Sequence, residues 1–230
     1  MSFFALLTPE EIVAIQLSLK VALVATLASL PFAIMVAHLL ARRDFPGKFL
    51  VDTLVHLPLV LPPVVTGFAL LLLFGRKGPA GAFLEENLGI VLAFRWTGAA
   101  LAAAIMAFPL MVRAIRLSIE AIDPRHFEAA IMLRATPLTA FRTITLPLAM
   151  PGIVAGSVLA FAKALGEFGA TITFVSNIPG ETQTIPAAIY SAVQVPGGEA
   201  AALRLALVSV AISILALVAS EWLLRSKRRR

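Results

Sequence analysis

Five long apolar runs, separated by shorter polar stretches, divide the 230-residue chain. A helix that crosses a hydrocarbon core of about 30 Å needs about 20 mostly apolar residues, and each run is long enough. The runs are continuous rather than alternating, so they predict helices and not barrel strands. The predicted spans are residues 12–40, 49–74, 98–117, 150–174 and 200–224. A further apolar piece, 88–94, is too short to span and is interpreted as a re-entrant or surface segment.

Prolines interrupt the second run in the stretch HLPLVLPPVVTG, which contains Pro58, Pro62 and Pro63. Each proline lacks the backbone donor and clashes with the preceding turn, so we expect the helix to bend or open here. Two interpretations stay open. The bend either serves packing alone or marks a broken helix beside a transport path.

Composition favours a protein that is surrounded by lipid. Hydrophobic residues make up 60% of the chain, charged residues make up 14%, and the mean hydropathy is +0.94. Soluble domains have about 25% charged residues, so much of this apolar surface must face the bilayer. The sequence predicts an all-α, polytopic membrane protein with a single transmembrane domain over residues 1–230. Cysteine is absent from the sequence, which excludes thiol chemistry in this chain.

Basic residues indicate the orientation, because Lys and Arg accumulate in the inside loops of membrane proteins. With the N-terminus outside and the C-terminus inside, most of the 19 Lys and Arg fall inside. The inside residues are Arg42, Arg43, Lys48, Arg113, Arg116, Arg125, Arg134, Arg142, Arg225, Lys227, Arg228, Arg229 and Arg230. The basic inside loops account for the net charge of +6, so the charge gives no reason to propose nucleic-acid binding. The lipid bilayer is the partner that we expect instead.

A polar segment, residues 119–147, connects the third and fourth runs on the predicted inside face. Asp123-Pro124 and Thr136-Pro137 are typical helix starts, because the side-chain oxygen caps free amides and proline fits the first position. They predict two short helices, the second over 138–145, which Leu146-Pro147 then ends. So long and ordered a connection favours a docking surface for another protein. An amphipathic hairpin that rests on lipid is the alternative.

Eight residues of this segment carry a resemblance to a known family. They are Glu128, Ala129, Ala130, Leu133, Ala135, Phe141, Leu146 and Pro147, followed by Pro151 and Gly156 just beyond the segment, and Arg134 lies within the same predicted loop. The pattern resembles the EAA loop of permease subunits from ABC-type importers, so residues 119–147 are called the EAA segment below. The resemblance implies an all-α, MetI-like permease fold in which these residues contact a separate ATPase. Arg134 departs from the family, which usually has glycine where a left-handed residue ends the first short helix.

Three stretches narrow the resemblance to the permeases of bacterial molybdate importers. They are FPGK, HLPLVLPPVVTG and LGEFGATITFVSNIPGETQTIP. Sulfate permeases share parts of the last stretch, so another oxyanion, sulfate, thiosulfate or tungstate, is the first alternative. An ion-coupled secondary transporter, or a membrane scaffold that transports nothing, is the second.

The resemblance also implies partners and a location. A second copy of the chain, two ATP-binding subunits and an extracytoplasmic binding protein are expected, in a bacterial inner membrane. The sequence contains no G-x-x-x-x-G-K-[ST], so ATP and Mg are expected on the partner ATPase. We therefore expect a transport subunit that is not an enzyme and that holds no cofactor or metal.

Lys163, Glu167 and Thr171 are candidates for the translocation path. Ionisable residues inside a span are costly and usually face protein or a water-filled cavity. Lys163 and Glu167 are four residues apart on the predicted helix, a spacing that allows an ion pair. The pair either stabilises the helix or lines the path, and the Thr171 hydroxyl either meets a passing oxyanion or bonds back to its own backbone.

Overall fold

The computed structural model describes residues 7–228, with the side chains of 127, 131, 220 and 223–228 left out. The ends of the predicted domain, 1–6 and 229–230, and the C-terminal basic side chains therefore lie outside the described residues. The helices are α1 (Pro9–Arg42), α2 (Lys48–Val60), α3 (Pro63–Phe74), α4 (Pro79–Leu88), α5 (Trp96–Glu120), α6 (Pro124–Met132), α7 (Pro137–Ala140), α8 (Leu146–Leu148), α9 (Met150–Leu165), α10 (Gly169–Val175), α11 (Ile185–Val193) and α12 (Glu199–Arg228). A π-helical turn, Phe141–Thr145, joins α7 to α8. The prediction of an all-α chain is confirmed for the residues described.

The centre of the fold is formed by α1, α5 and α9, and the contacts of α5 with α1 and with α9 are the most extensive between any helices described. Their contact faces are rich in small residues, which let helix backbones approach closely in a lipid environment. Fully buried alanines on α1 and α5 are Ala22, Ala33, Ala37, Ala99, Ala102 and Ala103. The core is therefore built on backbone proximity more than on large side chains.

Three helices, α1, α5 and the 199–219 part of α12, are individually long and apolar enough to cross a membrane. The number reaches five if each of two bent helix pairs forms one span. The first pair is α2 with α3, bent by 115°, and the second is the 137–148 segment with α9, bent by 67°. The five predicted runs correspond to these elements.

The second predicted span is broken rather than merely kinked. Leu61 and Pro62 separate α2 from α3, and Pro63 occupies the first turn of α3, where a missing N–H costs nothing. The proline pattern thus located the break. Pro58, in contrast, lies inside α2 without ending it.

The fourth predicted span is also broken, which the sequence analysis did not predict. Helix α9 ends at Leu165, and α10 begins at Gly169. The intervening residues, Gly166, Glu167 and Phe168, contain no proline, so the interruption lacks the signal found at Pro62, and the glycine and the carboxylate are its only marks in the sequence. The predicted single helix over 150–174 is therefore wrong between 166 and 168.

Residues 88–94, interpreted from the sequence as a re-entrant or surface segment, form no separate helix, and Leu88, Ile90 and Phe94 are exposed. Helix α4 ends at Leu88, where Gly89 takes a left-handed conformation with φ 65°, and no helix is described from 89 to 94. The connection between the fourth and fifth predicted runs contains a helix of its own, α11.

The relative directions of the helices agree with the predicted topology. Glu11 near the start of α1 forms an ion pair of 2.6 Å with Arg204 near the start of α12. At the opposite end of α1, Arg42 contacts the end of α5, where the EAA segment begins. The beginnings of α1 and α12 therefore lie at one end of the molecule and the EAA segment lies at the other.

Candidate functional site

The first helix that lies wholly within the EAA segment is α6. Its first turn shows the capping bond that the sequence predicts. The Asp123 carboxylate accepts a hydrogen bond from the Arg125 N–H at 2.9 Å. At the start of α7, the Thr136 hydroxyl accepts from the Thr139 N–H at 3.2 Å. Caps of this kind typically contribute about 1 kcal/mol each. Both predicted helix starts are confirmed.

The outer surface of α6 presents the residues that carry the family resemblance. Glu128 and Ala129 are exposed, and Leu133 is 83% exposed, whereas Ala130 is buried against the rest of the fold. Next to Leu133, Met132 is 87% exposed. An acidic residue, a small residue and two large apolar side chains thus lie together on a helix that projects from the transmembrane helices.

Arg134 ends this helix in the left-handed conformation that the family pattern implies, with φ 57°. The next residue closes the turn, because the Ala135 N–H donates to the Ala130 carbonyl at 3.0 Å. This is the six-to-one hydrogen bond of a Schellman motif, which glycine usually completes. The turn therefore keeps its ordinary geometry with arginine, at a conformational cost of about 1 kcal/mol.

The second short helix of the EAA segment continues past its predicted end. After Thr145, Leu146 and Pro147 lie in α8, and the bend comes at Ala149. The reason is the π-helical turn that Phe141 opens. The Leu146 N–H donates five residues back to the Phe141 carbonyl, which widens the turn. We infer that the wider turn relieves the clash that makes proline end an ordinary helix. The prediction that Leu146-Pro147 stops the helix is wrong.

Two residues outside the EAA segment hold it against α1. The Arg42 guanidinium donates from Nη2 to the carbonyls of Ile119 and Ile122, at 3.0 and 3.1 Å. One turn earlier on α1, the His38 ring lies edge-on to the Phe141 ring, with 4.8 Å between the centroids. From the sequence alone, Arg42 is predicted only to be a basic residue on the inside, and no role is predicted for His38. Their partners are distant in sequence, and the only available signal was a basic residue at the end of an apolar run.

A second candidate region lies at the break between α9 and α10. The Lys163 ammonium and the Glu167 carboxylate are 2.7 Å apart, with the Glu167 side chain 1% exposed and the Lys163 side chain 33% exposed. Glu167 lies just beyond α9 and also accepts from the Ala170 N–H at 3.0 Å, so it caps α10. The predicted pairing is present, and it spans the break rather than a helix face.

The Thr171 hydroxyl is directed to its own backbone. Its Oγ1 donates to the carbonyl of Phe168 at 2.8 Å and lies 3.2 Å from that of Glu167. Of the two interpretations of Thr171, this geometry favours the local bond. A direct contact with a passing ion would require the hydroxyl to exchange its partner.

The two broken spans meet at their breaks. A Cβ atom added to Gly169 would lie 2.7 Å from the Cβ atom of Pro63, and one added to Gly67 would overlap the backbone of Ala170. Real Cβ atoms do not approach so closely, so these glycines permit the contact between α3 and α10. Helix α9 runs from the bend after the EAA segment to this region, so the two candidate sites lie at its two ends.

The described residues thus form a bundle of long apolar helices with a polar, capped segment at one end. Residues 29–229 match the model of the family described as binding-protein-dependent transport system inner membrane component. This chain belongs to that family, and it is a transport component rather than an enzyme.

Individual relatives agree with this assignment. The chain is 57% identical to the molybdenum transport system permease protein ModB of Escherichia coli strain K12, over 98% of each chain. It is 54% identical to ModB of Haemophilus influenzae, over 96% of each chain. A solved inward-facing structure of the MetNI methionine ABC transporter shares its fold, with a TM-score of 0.74 at 15% identity, over 93% of this chain and 94% of that one. The MetI-like fold and the membrane-integral class are thereby shown.

Proposed function

We propose that this chain is the transmembrane subunit of an ATP-driven importer that moves molybdate into the cell. The observation that carries the proposal is the likeness to molybdenum transport permeases over almost the whole chain. The motifs FPGK, HLPLVLPPVVTG and LGEFGATITFVSNIPGETQTIP support the same substrate. Molybdate is a tetrahedral dianion, so it needs a path that excludes lipid and neutralises charge.

The EAA segment is the contact with a separate ATPase, which carries ATP and Mg. Exposed Glu128, Ala129 and Leu133 form the contact surface, and Arg134 positions the turn that follows. A helix that exposes large apolar side chains to water on the inside face is poorly soluble alone. It would fit into a hydrophobic groove on a partner protein. ATP-driven closure of two such partners would move the EAA segment and, through α9, the broken spans.

The complex contains a second copy of this chain and an extracytoplasmic binding protein that delivers the ion. It lies in the bacterial inner membrane as a multi-pass protein with the N-terminus outside. No internal repeat is evident in the sequence, so a two-fold path needs a second chain. The positions of Arg42 and the EAA segment at one end of α1 support this orientation, because that end also holds most of the basic residues.

Lys163, Glu167 and Thr171 lie beside the path, at the level where both broken spans meet. Helix breaks in transporters are tolerated where they face protein or a water-filled cavity. The Lys163 ammonium is the positive group that a passing dianion would meet, and Glu167 holds it in place between passages.

The test is uptake of radiolabelled molybdate by cells with and without this chain, with the ATPase and binding protein present and unlabelled sulfate in excess. We expect uptake that requires the chain and withstands sulfate. Uptake that requires the chain and is abolished by sulfate would assign the importer to sulfate instead. Uptake that does not depend on the chain would refute the transport role.

A further inference from the structure

The last turns of α1 contact the EAA segment at both of its ends. Arg42 bonds the carbonyls of Ile119 and Ile122, where the segment leaves α5. His38 packs against Phe141, where the segment returns towards α9. His38 and Arg42 are four residues apart on one helix, so they lie on the same face one turn apart. A single helix turn therefore bridges the entry and the exit of the segment.

The hydrogen bonds of Arg42 join a charged guanidinium to backbone carbonyls at the end of α5. The last carbonyls of a helix lack intrahelical partners and carry the negative end of its dipole. The Arg42 guanidinium bonds one carbonyl in the last turn of α5, that of Ile119, and one just beyond the helix, that of Ile122, and it supplies the favourable charge. Both bonds come from Nη2, so a lysine ammonium, which is a point charge with three donors on a differently shaped side chain, is expected to reproduce them only in part.

We propose that Arg42 and His38 are positioning residues that join α1 to the EAA segment, so that both move as one body when the partner ATPase moves the segment. This inference rests on the proposed function, because it needs an ATPase that acts on the segment. Without the two contacts, the segment would lose its hydrogen bonds and its ring contact with the end of α1, and only apolar packing such as that of Leu146 against the core would remain beside its chain ends. Part of its movement would then be absorbed by local bending instead of reaching α1.

The first experiment measures molybdate taken up per ATP hydrolysed, with the complete complex in proteoliposomes. We compare Arg42→Gln and Arg42→Lys with Arg43→Gln as the matched control. Arg43 is the adjacent residue, and its exposed side chain makes no hydrogen bond or ion pair within residues 7–228. We expect Arg42→Gln to assemble and to hydrolyse ATP but to lose about tenfold in uptake per ATP, equivalent to about 1.4 kcal/mol. Arg42→Lys should recover part of the loss, and Arg43→Gln should match the wild type.

Equal uptake per ATP in Arg42→Gln and Arg43→Gln would overturn the inference. So would a loss in which uptake and hydrolysis fall together with the amount of assembled complex, because that pattern indicates a purely structural role. If the wild-type complex shows no ATP-dependent uptake, the proposed function fails, and this outcome is distinct from either result.

A crosslink provides a second test, because it puts a covalent bridge in place of the ring contact between His38 and Phe141. The chain contains no cysteine, so His38→Cys with Phe141→Cys places one defined pair of thiols. A short, reducible bis-thiosulfonate reagent would bridge them, and each single-cysteine variant treated with the reagent is the control. We expect the bridged double variant to take up more molybdate per ATP than the same variant before bridging, because the bridge replaces the lost ring contact and the two sites again move together. Uptake that stops on bridging and returns on reduction would show that the contact must open, which contradicts the inference.

Discussion

The Lys163 ammonium and the Glu167 carboxylate form a 2.7 Å ion pair across the interruption between α9 and α10. Glu167 also caps α10, so one buried carboxylate serves both the broken span and its basic neighbour. A buried charge that loses its partner is left uncompensated, which makes the pair sensitive to the removal of either member.

Replacing Lys163 with methionine should reduce molybdate uptake more than it reduces the amount of the protein in the membrane. The unpaired Glu167 costs about 1–3 kcal/mol of stability, and the positive group beside the path is lost as well. Quantitative blotting of membranes together with initial uptake rates measures both effects.

The double variant Lys163→Met, Glu167→Gln is the matched control, because it removes the unpaired charge while still lacking the cation. It should regain membrane abundance without regaining uptake. If uptake and abundance fall by the same factor in Lys163→Met, the pair is structural and has no role in the path.

The contact between the two breaks predicts a difference between two neighbouring glycines. Gly169→Ala places a methyl group 2.7 Å from the Cβ atom of Pro63, whereas the nearest atom to a methyl group at Gly166 is 3.8 Å away. Overpacking of this kind typically costs about 1–3 kcal/mol. Gly169→Ala should therefore lower the thermal unfolding midpoint of the purified protein in detergent. Gly166→Ala should leave it near the wild-type value, and equal midpoints for the two variants would disprove the close contact.

Arg134→Gly should stabilise the protein, because glycine adopts the left-handed conformation at φ 57° without the penalty that a side chain brings. The expected gain is about 1 kcal/mol in the free energy of unfolding, measured by chemical denaturation in detergent. Arg134→Ala, which also removes the charge but keeps a Cβ atom, should show no such gain. A gain of the same size in both variants would mean that the charge, not the backbone, carries the effect.

Glu128→Lys tests the exposed surface of α6. We expect wild-type abundance in the membrane, since Glu128 is exposed. We also expect at least a tenfold loss of uptake, because a reversed charge at a docking surface costs several kcal/mol. Co-purification of the ATPase measures the docking directly. The control Glu86→Lys reverses an exposed charge on α4, and a similar defect in both variants would exclude a specific contact at Glu128.

The features that the sequence predicted are those with local causes. Thr136-Pro137 marked the start of α7, and Pro62-Pro63 marked the break in the second span, because proline and capping side chains act on the nearest backbone groups. The EAA pattern likewise implied a left-handed residue at Arg134, which the backbone adopts.

The features that it missed depend on tertiary contacts. The break before Gly169 is stabilised by the bond from the Ala170 N–H to Glu167 and by the packing against Pro63; the sequence shows the charge of Glu167 but neither of these contacts. The π-helical turn at Phe141 has no compositional mark, and its ring contact with His38 joins residues from separate helices. The role of Arg42 also depends on residues that are distant in sequence, because its acceptors belong to α5 and to the residues that follow α5.

The most direct test of the central claim is uptake of radiolabelled molybdate into proteoliposomes that hold this chain with its ATPase, with the binding protein on the side of the external loops. The account predicts uptake that needs ATP on the side of the EAA segment. It also predicts that uptake stops when the P-loop lysine of the ATPase is replaced, and that it persists without any ion gradient. Uptake that proceeds without the ATPase and follows an imposed ion gradient would contradict the account.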